Sequence, residues 1–101
     1  MLTQGQKRHL RKLAHPRRVI VQTGDAGLSD GVLREVDLAL SAHELVKIRV
    51  LAADRAERDA QIARACSVTG AELVQRIGHV AVLYRRNPDS ADPVAIASGH
   101  S

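Results

Sequence analysis

Aromatic side chains are almost missing from this chain of 101 residues, which has no Phe, no Trp and a single tyrosine, Tyr84. Aliphatic residues must therefore build the core, and a binding mode that needs an aromatic platform for stacking nucleobases has little support. Cysteine is as scarce. Cys66 has no partner for an internal disulfide, and its apolar helical setting in QIARACSVTG suits a small core residue better than a nucleophile. No segment approaches the roughly 20 apolar residues of a membrane span, and the N-terminus lacks the apolar stretch of a secretory signal. A cytoplasmic chain without membrane contact is the expectation.

Catalytic groupings are missing too. His9, His15, His43, His79 and His100 are scattered, with no pair at a metal-ligand spacing, so neither a metal nor another cofactor is expected. The acids form no isolated pair, and Ser29 is accounted for by helix capping. The chain does not read as an enzyme.

Positive charge is abundant, and it is unevenly placed. Residues 1–23 contain Lys7, Arg8, Arg11, Lys12, Arg17 and Arg18 and no acid, whereas the remainder carries nine basic and eleven acidic side chains. A basic end on an otherwise slightly acidic chain favours a polyanionic partner.

The pattern predicts one domain over residues 1–86. Thr3 and Gln6 fit a capping box that opens a first helix over about 3–15, with Leu10, Leu13 and Ala14 as its apolar stripe. VIVQT, residues 19–23, reads as a short strand. Ser29 caps a second helix over about 29–43, with Leu28 and Leu33 placed to form a hydrophobic staple and Val32, Val36, Ala39 and Leu40 completing its buried side. His15 and His43 fall at helix C-termini, where they complement the dipole.

ELVKIRVL, residues 44–51, alternates as a strand with Val46, Ile48 and Val50 on one face and Lys47 and Arg49 on the other. A third helix is expected over about 54–68, ending near Gly70. Its buried side is read as Ala56, Ala60, Ile62, Ala63 and Ala65 or Cys66, and its mixed-sign surface carries no functional assignment. Residues 72–86 read as two strands meeting at Gly78-His79, and residues 87–101 as a flexible, aperiodic tail. The result is a compact α-β-α-β-α-β-β sandwich with a four-stranded sheet of mixed direction.

Between the first strand and the second helix lies Gly24-Asp25-Ala26-Gly27. A strand, a Gly-x-x-Gly loop and a helix N-terminus make an anion-receptive arrangement, because amide N–H groups point outward and glycine removes the Cβ that would hold a phosphate away. The same spacing also occurs in plain turns. No lysine follows at Walker spacing, and the third glycine of a dinucleotide site is out of register, so the remaining phosphate reading is the GxxG clamp of KH-type RNA modules.

LRKLAH, TGDAGLSDGVLREVDLAL, HELVKIRV and GHVAVLYRR, taken in order, resemble the CRM domain, named for chloroplast RNA splicing and ribosome maturation, in its stand-alone bacterial YhbY form. The resemblance covers residues 2 to about 86. It implies a fold similar to the C-terminal domain of a bacterial translation initiation factor, with RNA as ligand and association with precursors of the large ribosomal subunit. By that resemblance the GxxG loop maps onto Gly24, Asp25, Ala26 and Gly27, the basic helix onto Lys7, Arg8, Arg11 and Lys12, and the ELVK lysine onto Lys47. Asp25 departs from the commonly polar or basic loop, since an acid beside a phosphate costs on the order of 1 kcal/mol in a solvated setting.

Two functional expectations follow. The first is a non-enzymatic, monomeric RNA-binding protein of ribosome assembly, with modest sequence specificity and phosphate contacts from the six N-terminal bases. The alternative is a protein-interaction module that docks its basic helix on acidic surfaces of ribosomal proteins or assembly factors.

Overall fold

The computed structural model describes residues 2–24 and 27–87. The elements follow in the order α1 (Gln4–Ala14), β1 (Val19–Gln22), α2 (Asp30–His43), β2 (Leu45–Arg49), α3 (Arg55–Thr69), β3 (Glu72–Ile77) and β4 (Val80–Tyr84). The sheet order is β1-β2-β4-β3. β1 runs parallel to β2 across the α2 connection, and β4 pairs antiparallel with both β2 and β3. This is the mixed α/β sandwich read from the sequence. The tail beyond Asn87 lies outside the described residues.

Local chemistry explains most element starts. Thr3 accepts from the Gln6 N–H at 3.0 Å while the Gln6 side chain accepts from the Thr3 N–H at 2.9 Å, so the capping box is formed. Ser29 accepts from Val32 N at 3.2 Å, and Asp54 from Glu57 N at 2.8 Å. Gly70 ends α3 at φ +76°. Alanine there has room for its Cβ but must adopt a left-handed backbone, so Gly70→Ala is expected to destabilise the fold by about 1 kcal/mol, read as a lower urea midpoint.

Two cores flank the sheet. Helix α1 covers one face, where Leu10 and Ala14 pack with Leu45, Val74, Val82 and Tyr84. Helices α2 and α3 cover the other, where Val36, Leu40 and Ile62 meet Val46, Ile48 and Leu83. The alternation of β2 thus serves both faces. Leu28 and Leu33 pack together with Ala65, so the staple at the entry to α2 also docks on α3.

Three expectations need correction. Of the side chains assigned to the buried face of α3, Ala56, Ala60 and Ala63 are exposed, and the helix buries Ile62, Ala65 and Thr69. Small alanines contribute too little apolar area to orient a helix by themselves. The second strand begins at Leu45, because Glu44 is the C-cap of α2 with φ +61°. It also stops at Arg49, after which Val50 donates its N–H to the His79 carbonyl at 2.7 Å.

Cys66 is half-buried against the α2/α3 core. Burial, and then the neighbouring Glu72 carboxylate, push its thiol above the ordinary range. Iodoacetamide at neutral pH should therefore alkylate the folded chain about tenfold more slowly than the urea-unfolded chain.

Candidate nucleic-acid interface

The glycine pair closes a tight turn. Gly27 donates its N–H to the Gly24 carbonyl at 2.9 Å, and Ser29 donates to the Gly27 carbonyl at 3.0 Å. Asp25 and Ala26 lie outside the described residues. The two glycines have different reasons to be glycine. Gly27 has φ +68°, and a Cβ there would stand 3.4 Å from the Gln61 amide nitrogen, so the turn itself accounts for it. Gly24 has no positive φ, and a Cβ built on it meets nothing within 4 Å among the described residues.

The amides divide in the same way. The Gly27 and Ser29 N–H groups are spent inside the turn, and Val32 N is taken by its cap. Among the described residues, Gly24 is exposed, and the first-turn amides of α2 at Asp30 and Gly31 have no acceptor within the helix.

Thr23 fixes the turn to its surroundings. Its side chain is 1% exposed, its N–H donates to the Arg49 carbonyl at 3.0 Å, and its hydroxyl accepts from Leu51 N at 2.9 Å. The end of β1 is therefore tied to the chain that leaves β2. Thr23→Val keeps the shape but leaves the Leu51 N–H without its acceptor, and should cost about 1 kcal/mol by urea denaturation.

A band of basic side chains runs from α1 toward this turn. On α1, Arg8 and Lys12 are exposed and Lys7 and Arg11 are half-exposed. Lys47 donates its Nζ to the carbonyl of His15, the C-cap of α1, at 3.1 Å. Arg49 lies two residues further along the same sheet face, exposed and in register with Gln22, which is two residues from Gly24. Strand β2 thus carries cations from the end of the basic helix to the edge of the glycine turn.

Not every basic residue is equally available. Arg17 is half-buried and donates Nη1 to the Leu45 carbonyl at 2.8 Å, so part of its donor set is spent joining the α1–β1 connection to β2. Arg18 is exposed. Arg49 joins the band beyond Lys47, the last residue the sequence assigns to it. The signal for Arg49 was in the alternation of β2, which already put it on the lysine side.

The far wall of the turn comes from α3. A cleft of about 740 Å³ opens between Gly24, the chain after β2 and the first three turns of that helix. Glu57, Gln61 and Arg64, spaced i, i+4 and i+7, line it. These three had no assignment from the sequence, because a mixed-sign helix surface looks the same whether or not another segment faces it. Among the described residues no cluster of His, Cys, Asp and Glu could hold a metal ion, and no helix is long and apolar enough to cross a membrane.

The chain is similar to known proteins in both sequence and fold. The "Probable RNA-binding protein" of Pseudomonas aeruginosa is 38% identical over 87 residues, covering 86% of this chain and 84% of that protein. An RNA-binding protein of Haemophilus influenzae is 42% identical over 89 residues, covering 88% and 90%. A Staphylococcus aureus protein solved in solution superposes with a TM-score of 0.78 at 36% identity, covering 88% of this chain and 93% of its own. The family model described as the CRS1 / YhbY (CRM) domain matches residues 2–85. With the family model matching residues 2–85 and these relatives 38% and 42% identical over most of both chains, the protein belongs to the CRS1/YhbY (CRM) domain family.

Proposed function

We propose that this chain is a non-enzymatic, cytoplasmic RNA-binding protein that associates, as a monomer, with precursors of the large ribosomal subunit and assists their assembly. The family's bacterial members carry RNA-binding names, which supports RNA as the ligand. Phosphates are held by Lys7, Arg8, Arg11, Lys12 and Arg18, with Lys47 and Arg49 guiding the strand across the sheet to Gly24. Without an aromatic surface, backbone contacts dominate affinity and the shape of the folded RNA dominates selection.

The observation that carries this reading is Gly24, an exposed glycine without a positive φ whose Cβ position is open among the described residues. Its missing Cβ serves something that comes from outside. A phosphate resting on bare backbone beside a helix N-terminus is the ligand that suits it.

Gly24 is also a clean probe, because a side chain fits there. Gly24→Ala should leave stability unchanged within about 0.5 kcal/mol and weaken RNA binding a few-fold, whereas Gly24→Asp should weaken it about fivefold to tenfold through charge repulsion. Sedimentation of tagged native and Gly24→Asp chains through sucrose gradients of cell extract tests the ribosomal part. Co-migration of the native chain with large-subunit precursors, reduced in the variant, is expected. Equal co-migration of both would move the contact off the turn, and free protein in both cases would remove the ribosomal assignment.

A further inference from the structure

Resting on RNA as the ligand, we infer that the cleft between Gly24, Gly27 and α3 is a nucleobase site and that its donor and acceptor pattern selects guanine. The volume of about 740 Å³ is in the range of small-molecule sites and exceeds what a single base needs. One rim is apolar. Leu51 is 43% exposed beside Ala52 and Ala53, which gives a flat aliphatic surface against which a base can pack in a chain that has no aromatic platform.

The polar side is set by three residues of one helix stripe. Glu57 accepts from Ala53 N and from Gln61 Nε2, both at 3.2 Å, one bond to each carboxylate oxygen. Those bonds are long, and each oxygen keeps a further lone pair. A carboxylate only accepts, so the Gln61 amide must turn its nitrogen toward Glu57 and keep Oε1 as an acceptor. That oxygen is buried with no donor among the described residues. Gln61 lines the cleft, so this unpartnered acceptor lies beside it. Arg64 donates one N–H to the Leu28 carbonyl at 3.2 Å and, as a guanidinium, has further donors for the ligand.

The two oxygens of the Glu57 carboxylate beside a guanidinium call for a base edge with two adjacent N–H donors next to an acceptor. Guanine presents N1–H and its N2 amine side by side, with O6 beside them. Adenine offers one amino donor flanked by ring acceptors, cytosine one amino donor beside a single ring acceptor, and uracil one N–H between two carbonyls, so each would set a lone pair against the Glu57 carboxylate. Arg64 suits the guanine O6 and N7 acceptors.

The test is fluorescence anisotropy with the full chain and labelled oligouridine octamers that carry one central guanosine, inosine, adenosine or cytidine, beside plain oligouridine. Guanosine should bind about tenfold more tightly than adenosine, cytidine or uridine, and inosine, which lacks the N2 amine, should lose about threefold of that gain. Glu57→Gln should bring the guanosine-to-uridine ratio close to one while plain oligouridine still binds. Equal affinity for all octamers overturns the guanine site and leaves RNA binding standing. Failure to bind any octamer at low salt overturns both. A preference that survives Glu57→Gln would also overturn it, since the carboxylate is the group that reads the base.

Discussion

Affinity for single-stranded RNA should fall roughly a hundredfold as monovalent salt rises from about 50 to about 200 mM, with a log-log slope near −3.5. About six phosphate contacts follow if every base of residues 1–23 is counted, and they would give a slope near −4. The structure lowers that count by one, because Arg17 is half-buried and committed to the Leu45 carbonyl. Arg8, Lys12 and Arg18 remain exposed, and Lys7 and Arg11 half-exposed, so about five contacts is the expected number.

The same counting separates the residues. Arg8→Gln and Lys12→Gln should each reduce the slope by about 0.7 and weaken binding similarly for every RNA sequence, as loss of a phosphate contact does. Arg17→Gln should change the slope less and stability more. An affinity that is flat across this salt range would mean the basic helix does not contact phosphate. It would then turn attention to the docking of this surface on acidic protein.

Features encoded within a few residues were legible before any coordinates. The Thr3–Gln6 box, the Ser29 cap, the Leu28–Leu33 staple and the Gly78-His79 hairpin each need only local bonds and backbone angles, and all four are formed or placed as read. The basic side of β2 was legible for the same reason, since alternation assigns a strand residue to a face. Features set by distant segments were not. Nothing in the neighbourhood of Glu44 says that a glutamate will adopt φ +61° and be 2% exposed. Its conformation is held from forty residues away, where Arg85 N donates to its carbonyl at 2.9 Å and Asn87 N to its carboxylate at 2.6 Å.

The candidate site divides along the same line. Gly24 and Gly27 were visible as a spaced pair, but which of them serves the turn and which faces outward depends on a backbone angle and on Gln61, a residue of α3. The cleft wall formed by Glu57, Gln61 and Arg64 depends on α3 packing beside the turn through Ala65, Leu28 and Leu33. Helix periodicity could place these three on one stripe. It could not say that the stripe faces a cleft.

The segment after β4 should prove the most sensitive surface of the fold. Arg85→Ala is expected to destabilise the protein by about 3 kcal/mol and to lower the melting temperature by roughly 10–25 °C, measured by circular dichroism. Its guanidinium reaches three separate partners. It donates to the Thr69 carbonyl in the last turn of α3 at 2.8 Å, and to the Asp37 carbonyl at 3.0 Å and the Ser41 hydroxyl at 2.8 Å on α2, besides pairing with the Asp37 carboxylate. The ion pair by itself contributes little, because the Asp37 side chain is 54% exposed and salt screens it. The larger share comes from the charge-assisted bonds to the two carbonyls, of which the Thr69 carbonyl, at the C-terminal end of α3, has no helical donor to replace the guanidinium when the side chain is cut back. Arg85→Lys, with one charged centre in place of a planar fork, should recover less than half of the loss. Asp37→Asn, which removes only the ion pair, should cost under about 1 kcal/mol. If all three variants melt within about 3 °C of the native chain, water replaces the guanidinium at no net cost, and α2 and α3 are joined by their apolar contacts alone.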